Sequence, residues 1–89
     1  MKLLYTKRFS KDLECIENNT KLKIRILRFI EQMKQAESLY ELDTARKIQG
    51  YENYYRIRIG DYRLGIKATE NGIEILRLLH RKDIYRRFP

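Results

Sequence analysis

An alternation of apolar and polar side chains with a period of two runs through residues 54–66, YYRIRIGDYRLGI, and breaks only at Gly60 and Asp61. A period of two predicts strands, and a two-residue loop that begins with glycine favours a type II′ hairpin turn. Counting outward from the turn then fixes the register. The predicted pairs are Ile59 with Tyr62, Arg58 with Arg63, Ile57 with Leu64, Arg56 with Gly65 and Tyr55 with Ile66. The stretch therefore predicts an antiparallel hairpin at the centre of the fold.

The two faces of this hairpin differ in chemistry. One face carries Tyr55, Ile57, Ile59, Tyr62, Leu64 and Ile66, and the other carries Arg56, Arg58, Arg63 and Lys67. Like charges directly opposite one another destabilise a sheet. A row of basic side chains with one nearby acid, Asp61, therefore indicates a face that binds an anion. We expect Gly65, opposite Arg56, to leave this face open to a ligand backbone.

Periodicity and capping residues predict the remaining elements. Residues 2–5 read as a strand, Thr6 as the N-cap of a helix with Phe9, Leu13 and Ile16 on one side, and Thr20 as the cap of a second helix after Asn18 and Asn19. Further strands are predicted at 46–49, 54–59, 62–68 and 73–79, and a helical turn near Asp83. The prediction is one α+β domain, residues 1–89. A strand and a helical hairpin pack on a twisted, mainly antiparallel sheet of four to five strands, and a short C-terminal helical segment follows.

Two features leave alternatives open. The stripe of the second helix is Leu22, Ile26, Phe29, Ile30 and Met33, and Ile24 and Leu27 lie partly off it. Either both helix faces pack, or the excess is exposed and binds a partner. In the last strand, a two-residue turn at Asn71 and Gly72 would place Leu76, Leu78 and His80 on the arginine face. A three-residue turn with a bulge would place Arg77 and Arg81 there.

Composition narrows the classes of function. The chain has 89 residues, a net charge of +8, one cysteine and one histidine. Its apolar stretches are too short to span a bilayer, and residues 1–5 are too short for a signal peptide. Cys15 by itself fits a reducing compartment, and Cys15 with His80 cannot build a zinc site. We therefore expect a cytoplasmic protein with no membrane partner, metal or cofactor.

The positive charge is concentrated in two segments. Residues 46–67 carry six basic and two acidic side chains, and residues 80–89 carry four and one, so together they hold +7 of the +8. Many small proteins have a solvated basic surface without a nucleic-acid ligand. Clustering in strands and at the C-terminal end favours a phosphate-binding surface instead.

Three stretches in this order, KRFSKDL, KIQGYENYYRIRIGDYRLGI and LLHRKDIYRRF, resemble the RelE/ParE superfamily of bacterial toxins, the toxin halves of toxin–antitoxin modules. The resemblance covers nearly the whole chain and implies the same order of elements. RelE-like members cut messenger RNA in the ribosomal A site without metal, using the RNA's own 2′-OH. The resemblance thus implies as partners mRNA on the ribosome, with 16S rRNA contacts, and a cognate antitoxin in a hetero-oligomer. A net charge of +8 favours an antitoxin segment rich in acids and apolar residues, across the helical hairpin and sheet edge.

The resemblance also implies residue roles. It places phosphate and transition-state contacts at Arg56, Arg58 and Arg63, the general acid at Arg81 and a tyrosine that stacks on or assists the substrate at Tyr85, and Lys47 matches a further basic position. Lys67, on the arginine face, and Lys82 and Arg86, in the basic C-terminal segment, are predicted as further RNA contacts. Tyr85 could instead anchor the C-terminal segment in the core. The best-known members have lysine where Arg56 and Arg58 stand. Arginine is a poor base, so His80 is a candidate for proton transfer because imidazole titrates near neutral pH.

The leading hypothesis is a ribosome-dependent mRNA endoribonuclease. ParE-like members share the scaffold and inhibit DNA gyrase by binding, so a gyrase inhibitor is the rival hypothesis. A non-catalytic nucleic-acid-binding domain is the third.

Overall fold

The computed structural model describes the whole chain, residues 1–89, as three helices and a five-stranded sheet. Its elements are β1 (Leu3–Tyr5), α1 (Lys7–Cys15), α2 (Thr20–Gln35), a 3₁₀ turn (Leu39–Glu41), β2 (Ala45–Lys47), β3 (Tyr54–Ile59), β4 (Tyr62–Thr69), β5 (Gly72–His80) and α3 (Arg81–Arg87). The strand order is β1-β5-β4-β3-β2. The β1–β5 pair is parallel and the other pairs are antiparallel. The α+β prediction is confirmed, and no helix has the length and hydrophobicity needed to cross a membrane.

The helical hairpin is set by its caps. Thr6 Oγ1 accepts from the backbone N–H of Phe9 at 3.1 Å, as predicted. The second cap was predicted one residue too late: Asn19 Oδ1 accepts from Leu22 N–H at 3.2 Å, so Thr20 is the first helical residue. Asparagine and threonine are both favoured N-caps, and the sequence offers them side by side.

The main core lies between this hairpin and the apolar face of the sheet. Its fully buried side chains include Ile26 and Met33 of α2 and Ile57, Leu64, Ile66 and Ile75 of the strands. Ile24 and Leu27 remain outside, 45% and 46% exposed. Of the two alternatives, the second is therefore correct as far as exposure goes: α1 does not cover the outer side of α2.

The predicted β3–β4 register is confirmed at every pair, and Gly60 has the positive φ of 60° that the turn needs. The β4–β5 pairing follows neither proposed turn. Thr69 pairs with Gly72, so the loop residues are Glu70 and Asn71. Gly65 pairs with Arg77 and Ile66 with Ile75, so Leu76 is the extra residue of a β-bulge inside the strand. Arg77 therefore joins the arginine face, and His80, opposite Tyr62, joins the other.

A second, smaller core covers part of the arginine face. It contains Ile48, Leu79, Ile84 and Phe88, with Tyr54 and Leu76 packed against it. The Phe88 ring lies over Gly65, where an added Cβ would be 2.7 Å from ring carbons. The expectation that Gly65 keeps space for a ligand was wrong, because the chain's own C-terminal segment occupies that space.

Candidate nucleic-acid interface

Helix α3 is held against the β3–β4 turn by its first residues. His80 is the N-cap, and its Nδ1 accepts from Lys82 N–H at 3.2 Å. Arg81 N–H donates to the Asp61 carbonyl at 2.8 Å. The helix thus begins at Arg81 rather than near Asp83. Arg81 and Tyr85, four residues apart, share one side of α3.

Arg56 and Tyr85 join the sheet to this helix. The Arg56 guanidinium carbon lies 4.4 Å from the centre of the Tyr85 ring, a cation–π contact. Arg56 Nε is buried and has no hydrogen-bond partner. Tyr85 itself is 66% exposed, so the alternative that it anchors the C-terminal segment in the core is wrong. The pair presents an aromatic ring and an unneutralised cation to the same solvent.

The other arginines of the row also lack acidic partners. Arg63 donates from one terminal nitrogen to the carbonyls of Gly60 and Tyr62, at 2.9 and 3.0 Å. Arg58 is exposed, and Lys67 Nζ lies 5.3 Å from the Tyr54 ring centre. None of the four ion pairs of the molecule includes Arg56, Arg58, Arg63 or Lys67. Register and pairing together leave the three arginines without an acid on this face, whereas Lys67 is paired in register with Glu74 of β5.

Arg77 shares this face by register and has a different environment. Its Nε and a terminal nitrogen donate to the Asp12 carboxylate of α1 at 2.8 and 3.1 Å, and the same carboxylate accepts from Leu78 N–H. The pKa of Arg77 is raised from its ordinary value because Asp12 accepts these hydrogen bonds, partly offset by burial. This residue holds α1 on the open edge of β5. The sequence did not predict the pair, whose members are separated by 65 positions.

Other predicted site residues lie apart from the row or are engaged. Lys47 pairs with Tyr55 and so lies on the helical face, whereas Arg46, which was not predicted, pairs with Arg56. The His80 ring packs edge-on against Tyr62, with centroids 5.4 Å apart. In α3, Arg81 Nε is 3.9 Å from Asp61, Arg86 pairs with Asp83 at 2.7 Å, and Lys82 is exposed.

The two larger grooves lie along α2, and one of them reaches the row at Arg58. One, of about 650 Å³, runs between α2 and residues 41–44, and an adjoining groove of about 640 Å³ reaches Arg58 and Ile59 at the edge of β3. The arginine face is instead an open surface bordered by α3. Such a surface can receive an extended chain rather than enclose a small molecule.

The fold is that of a toxin class. Residues 3–85 match the family model described as the ParE toxin of the type II toxin–antitoxin system parDE. The chain is 43% identical over 90 residues to Toxin RelE3 of Methanocaldococcus jannaschii, with both chains fully covered. The chain therefore belongs to the ParE toxin family, within the RelE/ParE superfamily, and is the toxin of a type II toxin–antitoxin system.

Solved structures agree. The RelB-RelE antitoxin-toxin complex from Methanococcus jannaschii matches with a TM-score of 0.76 and 43% identity, over 97% of this chain and 99% of that chain. The E. coli DinJ-YafQ toxin-antitoxin complex matches with a TM-score of 0.72 over 94% and 96% of the two chains. At 17% identity, the second likeness concerns the fold alone. Both relatives are complexes with an antitoxin.

Proposed function

We propose that this toxin is a ribosome-dependent endoribonuclease that cuts mRNA in the A site by attack of the 2′-OH on the adjacent phosphate. In this reaction a bond forms between the 2′-oxygen and phosphorus and the bond from phosphorus to the 5′-oxygen breaks. The 2′-OH loses its proton to a base, and the leaving 5′-oxygen gains one. The observation that carries the proposal is the row of Arg56, Arg58 and Arg63, which lacks any internal carboxylate and adjoins Tyr85.

The row suits the charge that develops in this reaction. A phosphorane carries more negative charge than the phosphodiester, and preorganised donors stabilise it. Guanidinium groups bind phosphate oxygens with two parallel hydrogen bonds. Arg63, already oriented by the Gly60 and Tyr62 carbonyls, offers its remaining N–H groups without further ordering. Tyr85 offers an exposed ring on which an unpaired base can stack.

Proton transfer is assigned to α3 and the end of β5. Arg81, on the Tyr85 side of α3, is predicted to donate to the leaving 5′-oxygen. His80 stays a prediction as the proton acceptor, although it lies on the opposite face of the sheet from the row and its Nδ1 accepts from Lys82 N–H, so its ring would have to turn to reach the 2′-OH. Its capping role also complicates a simple deletion. His80→Asn separates the two roles because asparagine also caps helices. A stable His80→Asn variant without cleavage would support proton transfer, and one with full cleavage would reduce His80 to a cap.

The test is to map mRNA 5′ ends on translating ribosomes after adding the toxin. We expect A-site cuts from the unchanged toxin and their loss with Arg63→Ala and with Arg81→Ala. Arg8→Ala removes the same charge from the exposed side of α1 and should cut normally. Intact mRNA with the unchanged toxin would refute the nuclease.

A second candidate is supported by the match to the ParE family model. Inhibition of gyrase by binding requires no cleavage chemistry, so a supercoiling assay run beside the mRNA assay distinguishes the two. Inhibited supercoiling with intact mRNA would establish this rival.

The proposed partner is a cognate antitoxin with an acidic, apolar segment, docked along α2. Ile24 and Leu27 are exposed there, beside the basic Lys21, Arg25 and Arg28 and the two grooves described above. Opposite charge steers association, and apolar side chains supply the contact. The antitoxin is expected to be encoded by an adjacent reading frame.

Binding to that antitoxin can be measured by calorimetry. Leu27→Glu should weaken the complex strongly, because it places an acid where an acidic partner is expected. Asn18→Glu adds the same charge between α1 and α2 and should bind normally. Equal affinities of the two variants would place the antitoxin elsewhere.

A further inference from the structure

A second pairing of an aromatic ring with a cation lies beside the Tyr85 site, although this cation, Lys67, has Glu74 of β5 opposite it in register. Lys67 Nζ is 5.3 Å from the Tyr54 ring centre, as Arg56 is 4.4 Å from that of Tyr85. Tyr54 and Lys67 are cross-strand partners on the arginine face. Tyr54 and Arg56 are two residues apart on β3, roughly 6.6 Å along the strand. The surface therefore repeats one chemical unit along β3.

Tyr51 extends this second unit into solvent. Its ring meets that of Tyr54 edge-on with centroids 6.0 Å apart, and the residue is 49% exposed. On the inner side, the Tyr54 ring packs against the Phe88 ring, with centroids 5.9 Å apart. The three rings form a continuous aromatic path from the core beneath α3 to the surface of the 50–53 loop.

The loop that carries Tyr51 has a defined backbone. Gly50 and Asn53 have positive φ values of 85° and 66°. Tyr51 N–H donates to the Ile48 carbonyl at 3.3 Å, and the Asn53 carbonyl accepts from Ala68 N–H at 2.8 Å. Asparagine tolerates this left-handed conformation better than most residues. Tyr51 is thus presented by a bonded loop, with little conformational entropy left to lose on binding a ligand.

We propose that Tyr51, Tyr54 and Lys67 form a second nucleotide subsite, which binds a base and phosphate of the RNA next to the linkage held by the arginine row. The inference rests on the proposed function, which identifies the ligand as single-stranded RNA. Bases stack on exposed aromatic side chains and a neighbouring cation contacts the backbone, as in other surfaces for single-stranded nucleic acid. The subsite would lengthen the RNA segment that the toxin recognises beyond the cut step.

The experiment measures binding of single-stranded RNA to the full chain by fluorescence anisotropy, with a dinucleotide and a longer oligonucleotide. Tyr51→Ala is expected to lower the affinity for the longer RNA about 5- to 150-fold, the loss typical of one stacked base. The dinucleotide should bind unchanged. Tyr51→Phe keeps the ring and should bind as the unchanged chain does. Tyr40→Ala removes a tyrosine that is 98% exposed on the 3₁₀ turn and serves as the matched control.

The outcomes separate the subsite from the nuclease. If the unchanged toxin cuts mRNA and Tyr51→Ala binds the longer RNA as Tyr40→Ala does, the subsite is overturned and the nuclease stands. If Tyr51→Ala weakens binding of the longer RNA and the unchanged toxin leaves mRNA intact on ribosomes, the subsite stands and the nuclease fails. Lys67→Ala should follow Tyr51→Ala, and a Lys67→Ala variant with unchanged affinity would also contradict the proposal.

Discussion

Two arginine-bearing regions of one sheet differ in how their charge is neutralised. On β5, Arg77 is buried and bonded through two nitrogens to Asp12. On β3 and β4, the row of Arg56, Arg58 and Arg63 has no carboxylate within ion-pair distance. The first arginine joins a helix to a strand edge. The second set keeps its charge for a partner, so the function of an arginine in this fold depends on whether an acid reaches it.

The largest expected effect is a loss of stability when the buried Asp12–Arg77 pair is broken. Asp12→Ala should lower the free energy of unfolding by about 3–5 kcal/mol, because it leaves a buried guanidinium without a partner and Leu78 N–H without an acceptor. Urea unfolding measures this loss. Glu14→Ala, an exposed acid on the same helix, should change stability by less than about 0.5 kcal/mol. Equal losses of stability in the two variants would contradict a structural role for the Asp12–Arg77 pair.

The pH dependence of the pair follows from the raised pKa of Arg77. A base whose folded-state pKa is raised stabilises the fold fully below its unfolded pKa, and this stability is lost as pH rises through the folded pKa. Because both values lie far above neutrality, the difference between the unchanged chain and Arg77→Met should stay constant across the neutral pH range.

The next effect is a loss of cleavage activity with little change in stability. Arg56→Met should reduce single-turnover cleavage on ribosomes about 100- to 1000-fold, the usual result of removing one preorganised donor. Its unfolding free energy should fall by no more than about 1 kcal/mol, the scale of an exposed cation–π contact. A large loss of stability would instead make Arg56 a structural residue like Arg77.

A smaller effect tests the C-terminal cover of the arginine face. Gly65→Ala should destabilise the chain by about 1–3 kcal/mol, because the new methyl group meets the Phe88 ring. Gly65→Ala combined with Phe88→Leu should recover part of the loss. Urea unfolding of the single and double variants measures both, and an unaffected single variant would show that Phe88 does not occupy this space.

The smallest expected effect is on the salt dependence of RNA binding. Arg58 is exposed and unpaired, so Arg58→Ala should reduce the slope of log affinity for single-stranded RNA against log salt by about 0.7, one phosphate contact. Arg8→Ala on α1 should leave the slope unchanged. Equal slopes in the two variants would exclude Arg58 from the RNA contacts.

Much of the candidate site could be predicted from local pattern. The grouping of Arg56, Arg58 and Arg63 followed from a period of two and a two-residue turn, and the structure confirmed it. Lys47 shows the limit: β2 has three residues, and a shift of one position exchanges the faces of a strand. The observed register places Arg46, rather than Lys47, opposite Arg56.

The sequence by itself determined the β3–β4 hairpin, the cap at Thr6 and the two helices, because each depends on neighbours within a few residues. The tertiary structure alone decided the bulge at Leu76, the cover of Gly65 by Phe88 and the neutralisation of Arg77 by Asp12. Those features depend on contacts between distant segments, which compete for the same space and charge, and no local pattern encodes the result of that competition.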